Sequence, residues 1–201
     1  EIIMPILIII PIILIIILAI YLKRPETRGK HGEHKVKRII GKTIENEQYI
    51  INDLTVANEG KTSQIDHVVI NPRGVFVIET KNYSGKIYGS ENQREWTQVL
   101  AYGNVRNKLY NPLKQNATHV YNVKRIIGKL PVFSLVVFVQ NNTYYIKANN
   151  VIPLSALRNT LQYGENILSI KQMKMAYEAL LESRTEITTK EHIYNIREQQ
   201  C

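Results

Sequence analysis

The sequence predicts an α/β domain of the α+β-like mixed-sheet kind, behind an N-terminal transmembrane helix. Three observations carry this. Residues 2–22 are an unbroken apolar run without a charge. Residues 48–81 alternate strand-like segments with short turns, which predicts an antiparallel meander. Segments of helical periodicity, together with a second buried strand region over residues 131–140, flank that meander.

In chain order, residues 1–22 have the length of one bilayer crossing as a helix. The run is too long for a signal-peptide core and lacks a basic leading region and a small-residue cleavage site. Pro5 and Pro11 interrupt it in a way membrane helices tolerate. Lys23, Arg24, Arg28 and Lys30 come directly after it, so the positive-inside rule places the remainder of the chain on the cytoplasmic side of the cell membrane, as a single-pass protein. The chain begins at Glu1 rather than Met, as expected of a trimmed or processed N-terminus. Residues 23–30 are expected to be a short basic linker.

Residues 31–147 are expected to form the core domain. Val36, Ile39 and Ile40 follow helical spacing, with Glu33 expected in the first turn. There it either complements the helix dipole or presents a carboxylate to a site. Glu45 and Glu47 are further acids nearby. A first strand is expected over residues 48–54. Two more come after it as a hairpin over residues 64–81, QIDHVVINPRGVFVIETK, turning at Asn71-Pro72-Arg73-Gly74. Ile87-Tyr88 reads as a short edge strand, and Trp96 as a packing residue. Asn111-Pro112 opens a helix, in which Leu113, Ala117, Val120, Val123 and Ile127 form an apolar stripe ending at Gly128. Residues 144–146 are expected to return as a short strand. Residues 148–201 are expected to be a helical extension and polar tail, with helices starting near Ser155 and spanning residues 170–181.

The hairpin carries the chemistry. A turn centred between Pro72 and Arg73 sets Asp66 opposite Glu79, with Lys81 on the same face. The hairpin is otherwise apolar on both sides: Val68, Ile70, Val75 and Val77 on one face, Ile65, Val69, Phe76 and Ile78 on the other. A strand apolar on both faces is covered on both. Two carboxylates and an ammonium therefore converge at one end of a buried hairpin. Carboxylates that close need compensation, and a hard divalent cation, Mg²⁺ or Mn²⁺, supplies it through oxygen ligands. Asp66 and Glu79 would hold it, with the Thr80 backbone carbonyl as a further ligand. Lys81 would orient the attacking water or stabilise developing charge, and Glu33 would assist. Gln115 either orients water or phosphate there or simply solvates its helix. This donor set suits phosphodiester hydrolysis.

Other chemistries lack their residues. There is no HExxH motif, the five histidines share no ligand spacing, and the single cysteine, Cys201, is terminal. His67 points away from Asp66 and reads as structural. The formal net charge of +9 favours polyanionic partners, nucleic acid or anionic lipid, though basic excess also serves solubility and membrane orientation.

Residues from about 29 to 145 resemble the nuclease-related domain family. Gly32-Glu33, Gln64-Ile65-Asp66-His67, the run from Gly74 to Asn82, Gly85-Lys86-Ile87, Trp96 and residues 111–115 (NPLKQ) carry the resemblance. That family looks like a branch of the PD-(D/E)xK nucleases. The resemblance implies a restriction-endonuclease-like αβββαβ core with Glu33 as the helix acid, Asp66 as the metal-binding Asp, Glu79 and Lys81 as the ExK pair, and Gln115 as the polar residue of the following helix. Ile65 stands where such motifs often carry Pro. The implied activity is a Mg²⁺- or Mn²⁺-dependent, membrane-anchored nuclease acting on nucleic acid, with DNA the expected polymer. A non-catalytic nucleic-acid-binding or scaffolding module at the membrane is the alternative.

Overall fold

The computed structural model describes residue 13, residues 25–58 and residues 60–185. Apart from Ile13, the transmembrane helix expected over residues 1–22 lies outside them, as does the polar tail from residue 186 onward. No helix among the described residues is long and apolar enough to cross a membrane.

Helix α1 spans Pro25–Ile40. Residues 25–30 are thus helical rather than the expected linker, and Glu33 sits in mid-helix rather than in a first turn. The local residues permit this without dictating it. Pro is well tolerated in the first helical turn, Glu26 supplies the acid there, and Lys37 and Arg38 lie in the last turn. Asn82 also clamps the first half of the helix, its Nδ2 donating to the Arg28 carbonyl at 2.7 Å.

Strands β1 (Tyr49–Asn58), β2 (Lys61–Asn71) and β3 (Gly74–Lys81) form the meander. Helix α2 (Pro112–Ile127) crosses back to β7 (Val132–Phe138), which lies parallel to β3. Strand β9 (Val151–Pro153) adds parallel to β7, so the main sheet runs β1-β2-β3-β7-β9. The αβββαβ core is therefore present. The boundary expected at residue 148 does not separate packing units, because β9 completes the main sheet.

The hairpin register is as expected. Asn71 pairs with Gly74, and His67 with Ile78. The Asn71 Oδ1 accepts from the Arg73 N–H at 2.8 Å, closing the turn locally. Gly74 has φ 138°, and a Cβ there would lie 2.5 Å from the Phe133 ring, so glycine is required on both counts.

Each face of the sheet is covered. On one, Val68, Ile70, Val75 and Val77 pack against Val123 of α2 and Met173, Ala176 and Leu180 of α4 (Ile170–Glu182). On the other, Val69, Phe76 and Ile78 pack against Val36 and Ile40 of α1 and Leu157 and Leu161 of α3 (Leu157–Gln162). Ile65 is the exception: it packs with Val68 and Ile70, not with Val69. The same slip occurs in β1, where Tyr49 and Ile51 share a core with Leu54 and Val56. Between them Asp53 adopts a left-handed φ of 53°. Alternation thus breaks at one level in both strands, immediately beside Asp66.

Residues 82–110 hold more structure than an edge strand. Strands β4 (Lys86–Ser90), β5 (Glu95–Leu100) and β6 (Val105–Tyr110) join β8 (Ile146–Lys147) in a second sheet, ordered β6-β5-β4-β8. Strand β4 is internal to it. Ile87 and the buried Trp96 seat this sheet on Val136 and Phe138 of β7. The sheet was not foreseen because its strands are short and mostly polar, so no apolar alternation announces them.

Candidate active site

The site lies where β3 leaves the meander. Beyond the His67–Ile78 pair, the ladder between β2 and β3 gives way. There the Asp66 Oδ2 accepts from the Thr80 backbone N–H at 2.7 Å, so a side chain replaces a main-chain partner. In a strand, a residue's N–H and C=O point to the same edge. The Thr80 carbonyl therefore faces the Asp66 side.

Glu79 is 2 % exposed. Its Oε1 lies 2.7 Å from Lys81 Nζ, and Lys81 Nζ also donates to Gln115 Oε1 at 2.9 Å. Its Oε2 lies 3.2 Å from His119 Nε2 but forms no regular hydrogen bond among the described residues. His119 Nδ1 in turn lies 2.7 Å from Ser63 Oγ. A polar chain thus crosses the interior from Gln115 through Lys81, Glu79 and His119 to Ser63.

Helix α2 is held in register for this. Asn111 caps it, accepting from the Leu113 N–H at 2.9 Å. Asn116, fully buried, donates to the Val77 carbonyl at 3.0 Å and to Ser134 Oγ at 2.8 Å. These bonds fix Gln115 over Lys81. Glu33 approaches from α1, half-buried, because Gly32 lets the helix close in: a Cβ there would lie 2.8 Å from Asn82 Cβ and 3.4 Å from Thr80 Cγ2.

The electrostatics are uneven. Burial would push the Glu79 carboxyl up, but Lys81 and His119 together hold it below the usual carboxylate range. For Asp66 the balance is reversed. Burial and the charge of Glu79 push its carboxyl well above that range, outweighing the pull of the Thr80 N–H and of Lys81. Glu33 is raised by burial, Asp53 and Glu79. Lys81 is raised despite burial, chiefly by Glu79. The site therefore has one carboxylate ionised by a partner and one whose ionisation is opposed.

Asp66, Glu79 and Lys81 are brought together as expected, and Gln115 meets Lys81 directly. Glu33 bears on them through its field, with no hydrogen bond to any of them. Among the described residues, no three His, Cys, Asp or Glu side chains gather as a metal cluster. The residues that would hold a divalent cation are Asp66 and Glu79, with the Thr80 carbonyl. A raised Asp66 carboxyl beside Glu79 Oε2, whose one neighbour among the described residues is His119 at 3.2 Å, is oxygen chemistry that fits a hard divalent ion.

Sequence reasoning missed His119, Ser63, Asn116 and Asp53. A signal existed for two of them. Gln115 and His119 are four apart and share a helix face, and Asn116 begins the inward series continued by Val120, Val123 and Ile127. Ser63 and Asp53 had no local signature. His67, expected to be structural, is 2 % exposed with Nδ1 2.7 Å from Asn52 Oδ1.

Residues 28–139 match the family model described as the nuclease-related domain. An uncharacterized protein of Bacillus anthracis is 42 % identical over 116 residues, which cover 57 % of this chain and 54 % of that protein. The chain thus spans about half the length of that curated relative. No solved structure matches the chain.

Proposed function

The chain belongs to the nuclease-related domain family, and from that premise we propose that it is a membrane-anchored, metal-dependent nuclease that hydrolyses phosphodiester bonds in DNA. Asp66, Glu79 and the Thr80 carbonyl hold Mg²⁺ or Mn²⁺. Bound there, the cation supplies Lewis acidity and a water of lowered pKa.

The chain's own groups supply the rest. Lys81 keeps its proton because Glu79 stabilises the ammonium. From between Glu79 and Gln115 it donates to the attacking water or to a phosphoryl oxygen, where negative charge develops. Gln115 fixes the direction of that ammonium. Glu33, whose carboxyl holds protons more tightly than usual, accepts a proton from a water at the rim of the site. The observation that carries the reading is Lys81, pinned between Glu79 and Gln115 beside a buried Asp66 that forms no ion pair among the described residues.

The apolar run over residues 2–22 anchors the domain in the cell membrane, and the basic residues after it keep the domain on the cytoplasmic face.

Full-length protein in detergent, incubated with plasmid DNA and Mg²⁺ or Mn²⁺, tests the activity. Cleavage that disappears with chelator and in Lys81→Ala supports it. Cleavage equal in wild type and Lys81→Ala sinks it, and salt-dependent DNA binding without any cleavage favours the non-catalytic module instead. Membrane fractionation of cells expressing the chain, with protease applied from either side, tests the anchor and its orientation.

A further inference from the structure

The second sheet shows one face to the core and the other to solvent. Its register sorts the residues. Lys86, Val99 and Arg106 form one cross-strand row, and Tyr88, Thr97 and Lys108 the next, all on the outer face. The intervening Ile87 and Trp96 point inward to the core.

That outer face is basic and aromatic. Tyr145 stacks on Tyr88 with ring centroids 4.6 Å apart, and Tyr144 meets Tyr145 edge-on at 4.9 Å. Lys86 Nζ lies 5.7 Å from the Tyr145 centroid. No ion pair among the described residues engages Lys86, Arg106 or Lys108. A groove of about 780 Å³ runs along this face, with Lys86, Tyr88, Arg106 and Tyr102 among its lining residues and no acid in its walls. Tyr102 stands at its rim with its side chain entirely in solvent, on a turn where both it and Ala101 are left-handed, at φ 55° and 47°. A bulky residue seldom adopts that conformation without reason. It leaves both faces of the ring open.

We propose that this face of the second sheet binds single-stranded nucleic acid, with bases stacked on Tyr102 and Tyr88 and the phosphates tracked by Lys86, Arg106 and Lys108. The inference deepens the nuclease reading and rests on it for the polymer class. Two properties select the occupant. Cations lining a groove with no acid in its walls complement a phosphate chain; Glu95, on the same face one row beyond Lys108, lies outside that groove. The open ring of Tyr102, and the face of Tyr88 not covered by Tyr145, need unpaired bases, because a duplex seals its base faces against each other. Chain continuity links the face to the site: the sheet is inserted between Lys81, at the end of β3, and Gln115, in the first turns of α2.

The test uses the full chain in detergent with chelator present, so that binding is measured without cleavage. Fluorescence anisotropy is read with labelled thymidylate and uridylate oligomers of about 15 nucleotides and with a duplex of equal length. The proposal expects both single strands to bind more tightly than the duplex. Tyr102→Ala and Tyr88→Ala should each weaken them about tenfold. Tyr102 is fully exposed, so its loss leaves the fold intact. Lys86→Ala with Arg106→Ala should flatten the slope of log affinity against log salt by about 1.4. Equal or tighter duplex binding, an unaffected Tyr102→Ala, or no binding overturns the proposal. Cleavage of plasmid DNA is assayed in parallel. A chain that cuts but fails these binding tests overturns the surface and leaves the nuclease reading standing. A chain that binds single strands through Tyr102 yet never cuts supports the surface and overturns the nuclease reading.

Discussion

Asp66 Oδ2 accepts the Thr80 backbone N–H at 2.7 Å, making a catalytic-type carboxylate a structural member of the ladder between β2 and β3. Position and charge are thereby separable. An Asn at this site can still accept from Thr80, but it no longer opposes Glu79.

Asp66→Asn is therefore expected to abolish cleavage while stabilising the fold. The Asp66 carboxyl is raised well above its ordinary range, and each unit of such a shift is worth about 1.4 kcal/mol. At neutral pH the variant should be more stable, read as a higher urea midpoint with an unchanged m-value. Loss of stability in Asp66→Asn would refute the repulsion between Asp66 and Glu79.

The same shift predicts that cation binding expels a proton. A raised carboxyl pKa means that Asp66 holds its proton over a pH interval where an ordinary Asp is ionised. Within that interval Mg²⁺ or Mn²⁺ has to displace the proton, so affinity should fall as pH falls. Calorimetric titration in two buffers of different ionisation enthalpy should show proton release, and Asp66→Asn should show neither the release nor its pH dependence.

Lys81→Met should be costly to stability as well as to activity. It leaves Glu79, 2 % exposed, without the ammonium 2.7 Å away. Breaking a buried pair on one side typically costs about 3–5 kcal/mol. Gln115→Ala removes one charge-assisted hydrogen bond to a half-buried ammonium, so its expected cost is only about 1–2 kcal/mol. Denaturant unfolding of both variants checks the order, and cleavage should fall in both, further in Lys81→Met. The Glu79 carboxyl is held low by Lys81 and His119, so its stabilisation is present above the unfolded carboxylate range and is lost as pH falls through its folded value.

His67 should set a separate acid limb. Burial, together with the charge of Lys37, holds its pKa down to about 4. A base that titrates lower when folded binds fewer protons than the unfolded chain between about pH 6.5 and 4. Stability should therefore decline as pH falls across that window, by at most roughly 3 kcal/mol. His67→Gln should flatten this part of the pH–stability curve. An unchanged curve would mean that His67 titrates in the fold as it does in the unfolded chain.

Gly32→Ala probes the approach of α1. The new Cβ would lie 2.8 Å from Asn82 Cβ, so the helix must shift or the loop must yield. Overpacking of this kind costs about 1–3 kcal/mol. Because Glu33 is the next residue, cleavage should fall by more than the loss of folded protein explains.

The sequence by itself determined the hairpin, its register and the company kept there. Asn71, Pro72 and Gly74 make a two-residue turn by local chemistry, and the antiparallel pairing it sets carries Asp66, Glu79 and Lys81 to one end of the hairpin. The Asn111 cap and the stripe through Val120 and Val123 were equally local, so α2 could be placed without knowing what it packs on. The start of α1 was not so determined. Nothing local forces residues 25–30 into helix or linker, and the Asn82 clamp on Arg28, 54 residues away, lies beyond any sequence window.

Tertiary structure alone decided how the charges are shared. His119 and Ser63 lie 56 residues apart in sequence and 2.7 Å apart in space, and only the packing of α2 on β2 makes them support Glu79. The left-handed turn at Asp53 breaks the alternation of two strands at once, which the period of two in either strand does not reveal. The second sheet depended on strands too short and polar to be legible alone, assembled because Trp96 and Ile87 find Phe138 and Val136 to bury against. Periodicity and turn chemistry act over a few residues. The ionisation of a buried carboxylate depends on every charge within several ångströms, and only the folded chain sets those distances.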